Sequence, residues 1–250
     1  MKIRKLLPLL LLFLASCAEL TQLAQQSLGE NATLTQSDIV AGLKEALVRG
    51  ANNSAEILGK TDGYYSDELV KILLPPEADV IVNNVRKIPG GEDLVEDVLL
   101  QINRAAEDAA KEAAPIFVSS IKSMSISDAV TILKGENNAA TEYLRATTYD
   151  QLFELYRPKI KSSVEKELAG GVSTKESWDT LTGKWNTLAN GVAGQIAGLK
   201  PVDTELEDYL TTKALDGLFL KIADEEQQIR ENPAARVSSL LQRVFGSVDS

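Results

Sequence analysis

The sequence predicts an all-α fold: a single compact domain of about eight or nine helices around a central alanine-rich helix, with little or no sheet. Three observations predict it. Apolar residues recur three and four positions apart over most of the chain, the spacing that lines one face of a helix. The apolar-polar alternation of a half-buried strand is almost absent. Glycine and proline end the periodic segments, as at Pro75-Pro76, Pro89-Gly90-Gly91 and Gly170-Gly171.

The chain opens with a basic start (Lys2, Arg4, Lys5), an apolar run over residues 6–14, and then Leu14-Ala15-Ser16-Cys17. Even counted from Ile3 to Ala15 the segment is about 13 residues, where a bilayer core needs roughly 20. A charged start, a short apolar run and small residues before a cut describe a removable export signal. This segment looks like a bacterial lipoprotein signal over residues 1–16, with Cys17 lipidated and first in the mature chain. Residues 17–35, rich in Gln, Ser, Thr and Asn, read as a flexible tether; about 18 residues of coil reach on the order of 25 Å. Residues 36–250 read as the helical domain.

The first helix opens near Thr35, which with Asp38 resembles a capping box. Ile39, Leu43, Leu47, Ala51 and Leu58 carry its periodicity, and Asp62-Gly63-Tyr64-Tyr65 breaks it. Lys71-Ile72-Leu73-Leu74 reads as a small strand or a buried connector. Proline suits a first helical turn, so residues 77–87 read as a helix after Pro75-Pro76. Residues 92–124 read as the long central helix. Ala105, Ala106, Ala109, Ala110, Ala113 and Ala114 let neighbours approach closely, and Pro115 is expected to kink or break it.

Ser125 or Ser127 caps the next helix, which Gly135 closes. One further helix opens at residues 137–144. Another begins at Thr148 or Asp150, is interrupted at Pro158, and resumes to Leu168. Residues 173–197 form a weaker helix carrying Trp178 and Trp185, with four glycines lowering its propensity. Residues 205–231 form the next, Asn232-Pro233 breaks it, and residues 234–245 form the last.

Composition removes several chemistries. Of the 26 Lys and Arg, three lie in the signal, leaving 23 against 36 acidic residues, a net −13. That charge repels phosphate backbones, so nucleic acid is not an expected partner. There is no histidine, and Cys17 is the one cysteine. No disulfide, Cys/His metal site, Ser-His-Asp triad or Cys-His pair can form. No cofactor, catalytic residue or metal ligand is assigned, and the chain reads as a non-enzyme.

Three stretches resemble one family. The first is Asn103-Arg104-Ala105-Ala106-Glu107 running on to Pro115-Ile116-Phe117. The second is Asp128-Ala129, then Gly135, then Ala139-Ala140-Thr141-Glu142-Tyr143-Leu144. The third is Gly217-Leu218-Phe219, Glu225-Glu226, Ile229-Arg230, Asn232-Pro233, Arg236 and Val244-Phe245-Gly246. Together, over residues 39–246, they resemble the bacterial lipoprotein family catalogued as domain of unknown function 4197. The resemblance implies a helical periplasmic lipoprotein and carries no activity with it.

The candidate polar residues fall into two groups. Asn103, Arg104 and Glu107 share a helix face at spacings that let Arg104 reach Glu107. They suit an ion pair or buried polar knot, or the polar floor of a pocket. Glu225, Glu226, Arg230 and Arg236, with Asp128 as a further partner, suit a network locking the C-terminal helices; a hard-cation carboxylate site is the alternative, though no Asp-rich loop supports it. Trp178 and Trp185 suit the core, or stacking on a sugar or peptide. Ser162 with Lys166 and Ser119 with Lys122 are ordinary helix pairs.

The expected function is a lipid-anchored lipoprotein at the periplasmic face of the outer membrane. Ala18, in place of the Asp that retains such proteins at the inner membrane, favours the outer one. The membrane, through acylated Cys17, is one partner. The other is a protein engaged by an adaptor domain, or alternatively a small apolar or amphipathic ligand between helices.

Overall fold

The computed structural model describes residues 34–79, 82–83, 86–87, 89–167 and 171–247. The signal, Cys17 and most of the tether lie outside these residues. Among the described residues there are nine α-helices, two 3-10 turns and no strand. The expected all-α class holds.

Helix α1 spans Gln36–Gly59 and starts with the capping box: the Asp38 amide donates to Thr35 Oγ1 at 3.1 Å and the Thr35 amide to Asp38 Oδ2 at 3.0 Å. Residues 60–75 run as a turn and an extended connector, so Lys71-Ile72-Leu73-Leu74 is a connector and not a strand. Of the helix expected over residues 77–87, the described part is a 3-10 turn at Pro76–Ala78 followed by helical Asp79, Val82 and Asn83.

Helix α2 spans Gly91–Ala110, and α3 spans Ala114–Ser123. The break falls at residues 111–113, with Pro115 in the first turn of α3, where its missing N–H costs nothing. Ala106, Ala109, Ala110 and Ala113 are all fully buried, and α2 packs against α1, α5 and α8. Helix α4, Ile126–Leu133, turns 107° from α3. No single described helix is long and apolar enough to cross a membrane. The bent α3–α4 pair is apolar enough, but Phe117, Ile121, Ala129, Ile132 and Leu133 are buried in the core.

Helix α5 runs unbroken over Ala139–Val164 with Pro158 inside it, correcting the expected division into three segments. Pro158 is exposed, so water can serve the carbonyl that loses its ladder partner. Tyr156 and Ile160, both fully buried, pin the chain on either side.

Helix α6 is Thr174–Asn190, and α7 is Val192–Ile196, divided from it at Gly191. Helix α8 spans Leu206–Glu231. The last segment is a 3-10 turn, Pro233–Ala235, and then α9, Ser239–Gly246. The expected helix over 234–245 therefore starts later. The reason is local: Ser238 Oγ accepts the Leu241 amide and caps α9 there.

Helices α5 and α8 form the most extensive pairing, and they run antiparallel. Arg145 meets Asp216 at 3.3 Å, Tyr149 Oη meets Thr212 at 3.5 Å, and Arg157 meets Asp208, in steps along both helices. Helix α1 lies on the same partner, also antiparallel, with Gly50 against Glu225. At Gly42 a side chain would come within 2.7 Å of Val244 Cγ2, so glycine lets α9 close over the start of α1.

Candidate functional site

The alanine-rich face of α2 carries a buried polar knot. Asn103 and Glu107 are 0% and 3% exposed. Asn103 Oδ1 accepts the Ile72 amide at 2.8 Å, while its Nδ2 donates to Ile72 O at 2.9 Å and Leu99 O at 2.8 Å. This two-way pairing satisfies a connector residue that has no strand beside it. Glu107 Oε1 accepts the Tyr64 and Tyr65 amides, both at 3.3 Å. Its Oε2 accepts from Arg104 at 2.6 Å, and Arg104 also reaches Asp62 at 2.7 Å. Asp62 holds a left-handed φ of 67°, the turn that brings Tyr64 inward. The Tyr64 hydroxyl then donates to Ala214 O at 2.8 Å.

A second cluster sits where α8 ends. Asn138, the residue before α5, makes no side-chain cap. Glu226 of α8 does that work from another helix. Its Oε1 accepts the Ala140 amide at 3.0 Å, and its Oε2 accepts the Thr141 amide and hydroxyl, both at 2.8 Å. A carboxylate there also faces the positive end of the α5 dipole. Arg230 donates to Glu226 at 2.9 Å and, in the opposite direction, to Ile132 O at 2.8 Å and Leu133 O at 3.3 Å, the last carbonyls of α4. Arg236 donates to Ile229 O at 2.9 Å and Arg230 O at 2.5 Å, closing α8 itself. Three side chains thus cap three helix ends in series.

Asp128 and Glu225 stand apart from this relay. Asp128 forms a capping box with Ser125 at the start of α4, and the Ser125 hydroxyl and amide hold its carboxyl below the usual range. Instead of the expected Asp128, Arg230 reaches Glu226 and the carbonyls of Ile132 and Leu133, and Arg236 reaches the carbonyls of Ile229 and Arg230. Glu225, turned toward α1, accepts from Asn53 at 3.1 Å. Among the described residues no group of three or more His, Cys, Asp or Glu is placed to hold a metal ion.

Residues 33–246 match the family model described as Protein of unknown function (DUF4197). The chain belongs to this family. The matched span begins two residues before the Thr35 cap and ends on the last residue of α9. The family unit is thus the whole helical body, with both polar clusters inside it. No curated protein and no solved structure matches the chain.

Several concave features mark the described residues of this family member, and two of them suit an occupant. One is an apolar pocket of about 110 Å³ between the start of α2, the start of α6 and Leu206, floored by Trp178, Val95 and Val98 and edged by Thr174 and Ser177. The other is an open cleft of about 450 Å³ along the α5–α8 seam. Arg145, Lys213, Glu142 and Asp216 rim it, and Leu69 and Leu220 stand exposed at its edge. The two tryptophans divide: Trp178 is 4% exposed and Trp185 38%. Both indoles donate to the returning chain, Trp178 to Thr204 O at 2.9 Å and Trp185 to Lys200 O at 2.8 Å.

Sequence reasoning found Glu226 and Arg230 through their i, i+4 spacing. It missed Thr141, Asp62 and Asn53 as their partners and those of Arg104 and Glu225. Those contacts span 42 to 172 residues of chain, and Asn138, a residue type that favours the N-cap position, gave no sign that the start of α5 is closed from α8 instead.

Proposed function

We propose that this protein is a non-enzymatic, lipid-anchored envelope lipoprotein whose helical body is an interaction domain on the periplasmic side of the outer membrane. The observation that carries the reading is the use made of the buried charges. Glu107, Glu226, Arg230 and Arg236 spend their hydrogen-bonding capacity on helix ends and on one connector. They tie the helices to one another through the backbone groups at their ends. The Leu14-Ala15-Ser16-Cys17 segment supplies the attachment; each buried methylene of an acyl chain contributes about 0.8 kcal/mol, and more than one chain makes attachment stable. The mixed-charge cleft along α5 and α8, with Leu69 and Leu220 at its edge, suits a protein partner.

Cys17→Ser tests the anchor. The variant is expected to stay unprocessed, to lack acyl mass, and to leave the pool of membranes in which the processed wild-type chain floats. Normal processing with wild-type flotation refutes the reading.

A second reading rests on the apolar pocket lined by Trp178. Its volume is of the order of the roughly 150 Å³ apolar cavity known to take benzene, so a small apolar group or the end of an acyl chain suits it. Native mass spectrometry of the protein drawn from its own envelope distinguishes the two: a stoichiometric lipid or small molecule supports the pocket, a protein supports the interaction domain.

A further inference from the structure

The α6–α7 arm ends in an apolar tip. Val192 and Ile196 are one helical turn apart and are 77% and 83% exposed; Ala193 and Ala197 beside them are exposed as well. The tip is held in shape from behind. Asn186 exchanges two hydrogen bonds with Val202, at 2.8 and 2.7 Å, and Trp185 ties the returning chain at Lys200. The exposed side chains are thus presented by a braced element.

Charge says what covers them. Residues 180–202 contain Lys184 and Lys200 and no Asp or Glu, in a chain with 36 acidic residues and a net charge of −10. Both lysines and the edge of Trp185 are exposed. Apolar side chains at the tip, with an indole and two lysines on the segments that brace it, supply the groups a bilayer surface takes up at its acyl boundary, interface and anionic headgroups.

We infer that the α6–α7 tip is a second membrane contact, inserting Val192 and Ile196 into an anionic phospholipid bilayer with Trp185 at the interface. The inference rests on the lipid-anchor reading for its context.

The chain has two tryptophans, so Trp178→Phe leaves Trp185 as the reporter. The processed chain is placed on phosphatidylethanolamine–phosphatidylglycerol vesicles with and without brominated acyl chains. Brominated lipid is expected to quench Trp185 by about two-fold or more. The Val192→Asp/Ile196→Asp variant is expected to stay vesicle-bound and lose the quenching, with its melting temperature kept because both positions are exposed. Trp185→Phe, which leaves buried Trp178, is expected to show none. If Trp178→Phe does not fold, Ala193→Cys carrying an environment-sensitive dye reads the same contact, the Cys17 sulfur being acylated.

A chain that carries acyl mass and floats with the vesicles while Trp185 stays unquenched overturns the tip contact and leaves the anchor standing; a protein seat for the tip then remains. A chain without acyl mass refutes the anchor alone, and Trp185 quenching is then read with the chain added from solution, where its absence overturns the tip as well.

Discussion

Glu226 is the residue on which the C-terminal architecture turns. It has 6% side-chain exposure, Arg230 has 9%, and between them they close α5 and α4. Removing one partner leaves the other charge buried with two amides and a hydroxyl unserved. Glu226→Ala is expected to cost about 3–5 kcal/mol, and Glu226→Gln, which keeps an acceptor and the shape, about 1–2 kcal/mol. Urea denaturation measures both, and a loss below about 1 kcal/mol for the alanine variant would remove the relay from the account of stability. Ion pairs such as Lys60–Glu56, with both side chains more than 60% exposed, belong to a different class; exposed pairs contribute about 0–1 kcal/mol. The spacing of Glu226 and Arg230 was legible in the sequence. Their real targets were not, because a backbone amide or carbonyl left open at a helix end has no residue-type signature.

At the scale of elements, α5 shows why periodicity alone divides a helix that does not divide. Its fully covered positions are Ala140, Leu144, Thr148, Leu152, Tyr156, Ile160 and Val164, each four residues after the last. Four residues overshoot a 3.6-residue turn by about 40°, so six steps carry the buried stripe about 240° around the helix. No single face stays apolar, and the sequence reads as separate short helices. The stripe is an i±4 ridge that meets α8 along one part and α2 and α3 along another. Pro158 sits on the open side of this spiral. Pro158→Ala restores a ladder hydrogen bond to Glu154 O without disturbing a packed face, and is expected to stabilise by about 1–3 kcal/mol. An increase in the urea midpoint at unchanged slope verifies it; a decrease means that the proline ring is needed where it stands. At Gly217 a side chain would lie 3.0 Å from Val70 Cβ and 3.1 Å from Tyr64 Cε1, so α8 accepts the 60–75 connector only where it has no side chain.

The molecule as a whole answers to pH through carboxylates. The amide and hydroxyl of Thr35 lower the pKa of Asp38, the hydroxyl and amide of Ser125 that of Asp128, and hydrogen bonds from Lys221 and Lys159 those of Asp67 and Asp108. Each folded-state pKa lies below the unfolded value of about 3.9. Their contribution is therefore complete above about pH 4 and is lost as pH falls through the folded-state values. With no histidine in the chain, no side chain of ordinary pKa titrates between about pH 5 and 8. Melting temperature is expected to be flat across that range and to fall steeply below about pH 4; a midpoint near neutrality would reveal a strongly shifted group in the body. The sequence by itself determined the helical class, the Thr35 capping box, the break before Pro115, the acidic balance and the exclusion of histidine and cysteine chemistry. These follow from residue type and from spacings of three or four, which act within one or two turns. Tertiary structure decided the rest: that α5 is one helix, that Glu226 and Arg230 close helices other than their own, that Trp178 is covered and Trp185 is not, and that Val192 and Ile196 of α7 stay exposed. Those outcomes depend on which surfaces meet across tens to hundreds of residues, and helical periodicity is silent about the partner.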